Sequence, residues 1–261
     1  MTDCILLSHV FINKDEQHKI DTVNFTVRHW RRHNPNAYII LIGHGEIPKE
    51  SKEYVDCFIW RQQIEERDID VGHPYCVNLG LDHAIEKRFK KILKARADGI
   101  NLIEDIATFS NTLLKDKKML ITQQTSIDRM EMGDLFMYGD LEFLKKCWNI
   151  NTWYPTKTGL TSLAKNFFNL CKENNASHSW KSALINNTSF VDIFNLKWID
   201  FRANWSVLKD MQEEMLQNKL VEFEKYLWGS KEQWHVWDKE GTLVYTHPNM
   251  GKITTEKDWH L

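Results

Sequence analysis

The sequence predicts a doubly wound α/β domain on a mainly parallel sheet flanked by helices. Three observations carry this expectation. Apolar runs of strand length recur at Ile5–Val10, Tyr38–Ile42, Val55–Trp60, Lys90–Ala95 and Lys118–Thr122; segments of helical apolar spacing separate most of them; the connections are short. Strand, helix and strand within about 40 residues form a βαβ unit, whose strands are parallel and whose crossover is right-handed.

Taken in order, Ile5–Val10 is followed by Asn13 and Asp15, read as caps, and by Ile20, Val23, Val27 and Trp30 at helical spacing up to the breaker Asn34-Pro35. Tyr38–Ile42 is rich in β-branched residues and is stopped by Gly43-His44-Gly45. Val55–Trp60 reads as a third strand and Arg61–Gly72 as a polar loop. His73-Pro74 reads as the start of a helix with one face formed by Val77, Leu81, Ala84, Ile85 and Phe89. That helix delivers the chain into Lys90–Gly99, a buried strand bounded by charge and by glycine. Leu102–Leu114 predicts a helix, Lys118–Thr122 a strand, Met130–Gly139 a glycine-bounded strand and Asp140–Trp148 a short helix.

The polar stretch 149–159 marks a boundary, so residues 1–155 are expected to form the core and 156–261 a mostly helical elaboration. Leu160–Cys171 and Val207–Leu227 are its helices. A β-hairpin closes it, with Trp234–Trp237 and Thr242–Tyr245 flanking Asp238-Lys239-Glu240-Gly241.

The chain of 261 residues carries 34 basic against 36 acidic side chains, which gives no reason to expect a nucleic-acid partner. Five cysteines without a CxxC pair argue against structural zinc and a disulfide framework, and predict reduced thiols in a cytoplasmic compartment. No stretch approaches the ~20 apolar residues needed to cross a bilayer. Peripheral contact through the basic residues at 28–33 and 87–94 stays open, as does a solvated helix face. Gly43-His44-Gly45 is neither a P-loop nor GxGxxG, and GxSxG is absent. His29 and His33 have metal-capable spacing but lack the Glu of HExxH, so a solvated basic helix end is expected there.

Candidate chemistry concentrates on charged residues at strand ends. Arg96 and Asp98 stand two apart at the end of a predicted strand, where open α/β sheets bind ligands, and offer a cation and a carboxylate to one crevice. A diphosphate with a divalent ion suits them; a surface ion pair is the plainer alternative. Asp134, with Glu131, could bring a carboxylate to the same crevice and take a proton from an attacking hydroxyl, or Gly133-Asp134 could simply be a turn. His247 and Lys252 could fold back onto a diphosphate. Of eleven tryptophans, seven lie from Trp180 onward, and some of these could stack on an acceptor sugar.

The run Asn34-Pro35-Asn36-Ala37-Tyr38-Ile39-Ile40-Leu41, then Val77-Asn78-Leu79-Gly80-Leu81, Ile92-Leu93-Lys94-Ala95-Arg96-Ala97-Asp98, Lys118-Met119-Leu120-Ile121-Thr122 and Gly133-Asp134-Leu135-Phe136-Met137-Tyr138-Gly139 together resemble the WavE-type lipopolysaccharide synthesis proteins. The resemblance spans roughly residues 5–150. It implies a GT-A-like glycosyltransferase that moves a sugar from a nucleotide-sugar donor to a glycan or lipid-linked glycan acceptor in polysaccharide biosynthesis. In such enzymes an Asp-x-Asp at a strand end holds a divalent metal, Mn2+ or Mg2+, on the donor diphosphate. Here Arg96 replaces the first acid, so Asp98 holds the ion alone or Arg96 neutralises the diphosphate itself. Asp134 falls where an acceptor-side base of an inverting transfer is expected. Two rival readings share these residues: a nucleotidyltransferase or phosphotransferase, and a non-catalytic nucleotide-sugar or carbohydrate-binding protein.

Overall fold

The structure, a computed structural model, describes residues 3–61, 69–122, 130, 132–153, 159–173, 179–191, 196, 198–200, 235–237 and 243–246. Its centre is β1 (Cys4–Ile12), flanked by β2 (Tyr38–Gly45) and β4 (Lys91–Arg96). Cys4, Ile5, Leu6 and Leu7 are buried on both faces, which is why this strand reads as an unbroken apolar run rather than an alternation. With β3 (Cys57–Arg61), β6 (Met119–Thr122), β7 (Phe136–Asp140) and β8 (Thr188–Phe190), it forms a seven-stranded sheet in the order β3-β2-β1-β4-β7-β6-β8. β7 runs against its neighbours β4 and β6, and the other strand pairs of this sheet are parallel. The fold is therefore mixed α/β, with a mostly parallel sheet flanked by helices.

The two faces of the sheet have separate cores. Ile5, Leu7, Leu93 and Ala95 point to one side, with Val23, Val27 and Trp30 of α1 (Gln17–His33) and Ile106 and Leu114 of α3 (Ile106–Leu114). Leu6, Ile40, Ile42 and Ile92 point to the other, with Val77, Leu81 and Ala84 of α2 (Ile69–Glu86). Side chains of α4 (Leu141–Cys147), α5 (Gly159–Glu173) and α6 (Trp180–Asn187) complete that second core. Gly80 lets α2 lie directly on β1, since a methyl group there would sit 2.5 Å from Leu6 Cδ1. A short strand β5 (Gly99–Asn101) pairs with β9 (Trp198–Asp200), and β10 (His235–Trp237) with β11 (Leu243–Thr246) forms the expected hairpin. The helix expected at 207–227 lies outside the described residues. No helix among the described residues is long and apolar enough to cross a membrane.

Several local expectations are corrected. α2 begins at Ile69, so 69–72 are helix rather than loop and Pro74 sits inside it. Pro74 removes one hydrogen bond to the preceding turn, but packing on β1 holds the helix nonetheless. α3 starts at Ile106, not at 102: residues 102–105 form the turn that links β5 to the helix, and Asp105, with φ 50°, is not helical. The residue before α1 is Glu16, whose carboxylate accepts from the Asn13 backbone and side-chain N–H groups, so neither Asn13 nor Asp15 caps the helix. The strand expected at 130–139 begins only at Phe136, leaving Gly133-Asp134 in the segment that leads into it. His29 is 4% exposed and packed on Phe25 and His33, so it lies in the interior, while Arg28 and Arg32 beside it are exposed as expected of a solvated basic helix end.

Candidate functional site

In the sheet order, the chain moves outward from β1 to β2 and β3, then returns through α2 to β4 on the opposite side of β1. The crevice outside the carboxyl ends of β1 and β4 is thus the topological switch point, the place where such sheets take ligands. Ser8 and Arg96 are paired neighbours across it.

Along β4, positions 92, 94 and 96 share the face covered by α2. Lys94 is fully buried there. Its ammonium donates to the backbone carbonyl of Asp134, lies 3.3 Å from Asp134 Oδ2, and sits 4.9 Å from the ring centre of Trp148. Burial pushes the Lys94 ammonium down to about 8, against the opposing pull of Asp134. A buried lysine is tolerated only when paired, and this one has a carboxylate, a carbonyl and an aromatic face. His73 of α2 approaches the same carboxylate, with Nδ1 3.6 Å from Asp134 Oδ2 and Nε2 3.1 Å from Ser8 Oγ. Its ring meets Trp148 edge-on at 5.6 Å. Burial, reinforced by the Lys94 charge, drives His73 down to about 3, so it is neutral at physiological pH.

Arg96 and Asp98 form a two-pronged ion pair, with Nε to Oδ1 at 3.0 Å and Nη2 to Oδ2 at 2.7 Å. Their side chains are 14% and 9% exposed, which removes the surface-ion-pair alternative. The backbone N–H of Arg96 donates to Leu135 O at 3.2 Å, tying this strand end to the segment that carries Asp134. Charges on Lys94, Asp134, Arg96 and Asp98 all act on His73, so three of the residues singled out from the sequence come together around it. His247, Lys252 and Glu131 lie outside the described residues. Among the tryptophans expected to bind an acceptor, Trp180 and Trp198 are buried core residues, 7% and 1% exposed, where packing against neighbouring rings accounts for them.

Ser8, His73, Lys94 and Trp148 were not singled out as site residues from the sequence. One signal for Lys94 was present: a lysine inside a strand expected to be buried on both faces requires a partner charge.

A divalent ion on Asp98 does not fit the residues present. Both oxygens of that carboxylate accept from Arg96, and Lys94 brings a second cation to the same face of the strand. No group of three His, Cys, Asp or Glu side chains able to hold a metal occurs among the described residues. Each carboxylate of the cluster is paired with a fixed cation, Asp98 with Arg96 and Asp134 with Lys94, so there is no excess negative charge to draw a metal ion.

No family model matches the chain, and no curated protein matches it. Among solved structures, a protein assigned as a nucleotide-diphospho-sugar transferase from Desulfovibrio desulfuricans aligns over 85% of this chain and 100% of its own, at 9% identity and TM-score 0.44. A glycosyltransferase involved in glycosylation of the major capsid of PBCV-1 aligns over 81% of this chain and 99% of its own, at 9% identity and TM-score 0.47. The glycosyltransferase GlyE of Streptococcus pneumoniae aligns over 83% of this chain at 13% identity and TM-score 0.37, and the match spans about half of its length, 51%.

Proposed function

We propose that the chain is a GT-A-like glycosyltransferase of the WavE type, which moves a sugar from a nucleotide-sugar donor to a glycan or lipid-linked glycan acceptor. The observation that supports it best is the position of the charges: Arg96, Asp98, Lys94 and Asp134 gather at the switch point of a mostly parallel sheet, two cations beside two buried carboxylates. Arg96 suits a diphosphate, and the Asp134 carboxylate, anchored by Lys94, suits an acceptor hydroxyl.

In this reading Arg96, oriented by the two-pronged contact with Asp98, offsets the charge that builds on the donor diphosphate. The acceptor oxygen bonds to the anomeric carbon as the bond from that carbon to the phosphate oxygen breaks. The hydroxyl proton passes to Asp134, and the bonding pair leaves with the nucleoside diphosphate. Lys94 anchors the Asp134 carboxylate. His247 and Lys252 are retained as further diphosphate contacts. No step requires a divalent ion, so chelation is expected to leave turnover intact.

The test is product analysis after incubation with UDP-, GDP- and dTDP-sugars, with and without EDTA. Release of nucleoside diphosphate, lost in Asp98→Asn, supports the transferase; release of pyrophosphate or transfer of a phosphoryl group identifies the rival enzyme class. Binding with no turnover, even with acceptors supplied, identifies a binding protein. Loss of turnover in EDTA would return Asp98 to a metal-binding role.

A further inference from the structure

The hydrogen bonds around His73 favour one of its two neutral tautomers. The Ser8 hydroxyl donates to Ala95 O at 3.3 Å, which uses the one proton it has. The 3.1 Å contact between Ser8 Oγ and His73 Nε2 is then completed by a proton on Nε2. A neutral imidazole has a single ring proton, so Nδ1 is left bare, facing Asp134 Oδ2 at 3.6 Å. At 3.6 Å the two atoms stand beyond hydrogen-bond distance, where a lone pair and an ionised carboxylate oxygen repel each other, and a proton on the carboxyl group would let them close to a hydrogen bond. The opposite tautomer, with the hydroxyl turned to Nε2, would make one hydrogen bond where this arrangement makes two.

We propose that His73 is a positioning residue for Asp134: its bare Nδ1, held in place by Ser8, accepts a hydrogen bond from the Asp134 carboxyl group in its protonated state. That state forms when the acceptor hydroxyl gives up its proton, so the inference rests on Asp134 being the base of the transferase reading. Lys94 presses on the same oxygen from β4 and favours the ionised state, while His73 favours the protonated one. The remaining charges acting on His73 are Arg96 and Asp98 at the end of β4. The Trp148 ring packs edge-on against it and covers Lys94. Two opposed contacts on one carboxylate oxygen suit a group that must gain and lose a proton in every cycle.

Nitrogen-15 NMR of the imidazole resonances of the full-length protein at neutral pH reads the tautomer directly. A proton on Nε2 of His73 is expected, and a proton on Nδ1 would overturn the proposal. Ser8→Ala provides the second measurement. Without the hydroxyl, the ring takes the other tautomer and donates from Nδ1 to the carboxylate. The midpoint of Asp134 protonation, followed at its carboxyl carbon, should then move about one unit lower in pH than in the wild type; an unchanged midpoint contradicts the proposal. If both results hold but no nucleotide sugar is turned over, the hydrogen bond stands and the transferase reading falls. If transfer is found and the acid limb of kcat in Ser8→Ala coincides with that of the wild type, the transferase stands and the role of His73 falls.

Discussion

Asp134 is held on one side by a fully buried ammonium and on the other by a neutral imidazole, and these contacts set what each substitution should do. Asp134→Asn removes the proposed base, so turnover should fall by about 10²- to 10⁴-fold, and it also leaves the buried Lys94 ammonium without its carboxylate, so thermal stability should fall too. Lys94→Met keeps the base. It fills the same volume but leaves the buried carboxylate without its cation, at a cost of about 3–5 kcal/mol in urea unfolding. A Lys94→Met protein as stable as the wild type would show that the pair does not hold the site together. Arg96→Lys keeps the charge but loses the planar fork that grips both Asp98 oxygens, so kcat should fall more than donor KM rises.

At the scale of elements, α2 is the one that carries His73 to the site, and its height above the sheet is set at Gly80. Gly80→Val would drive branched methyl groups into Leu6, lifting α2 off β1 at a cost of about 1–3 kcal/mol. Because His73 rides on the same helix, its contact with Ser8 should loosen as well, read as a change in its imidazole resonances. The long elements around it were legible in the sequence. β1, β2 and β4 show as apolar runs and α2 by its apolar face, since each is buried along most of its length. The elements that escaped are short or depend on distant partners. β5, β8 and β9 are three residues each, too short to show a period, and the partner of β5 lies almost 100 residues further on. The site was legible in the same uneven way. Arg96, Asp98 and Asp134 stand out because charge at a strand end needs a purpose, whereas Ser8 and His73 look like ordinary strand and helix residues until the fold brings them within 3.1 Å.

At the scale of the whole molecule, His29, His44 and His73, on three different elements, are held neutral by burial. His29 in α1 and His44 in β2 are pushed down to about 4, and His73 in α2 to about 3, each chiefly by burial. In the unfolded chain a histidine takes up its proton near 6.5, so as pH falls below that value the unfolded state binds protons that the folded state refuses. Stability should therefore be greatest above about 6.5 and fall between there and about 4, by at most ~1.4 kcal/mol per pH unit for each histidine. Denaturant unfolding at pH 7 and pH 5 measures this loss, and His29→Leu, at a ring that packs on Phe25, should reduce it. A profile flat across this range would mean that these rings are protonated in the folded protein.

The same molecule-wide view brings the strand order and the buried charges to one claim, that the switch point between β1 and β4 takes a sugar nucleotide. Thermal unfolding of the wild type and of Arg96→Met with UDP-, GDP-, CMP- and dTDP-sugars, in EDTA, tests it most directly. A ligand at about 100 times its Kd adds roughly 2.7 kcal/mol to the folded state, which corresponds to a rise of several degrees in Tm for a chain of this size. The account predicts such a rise with one class of sugar nucleotide, without added metal, and its loss in Arg96→Met. No shift with any donor, or an equal shift in both proteins, would contradict it.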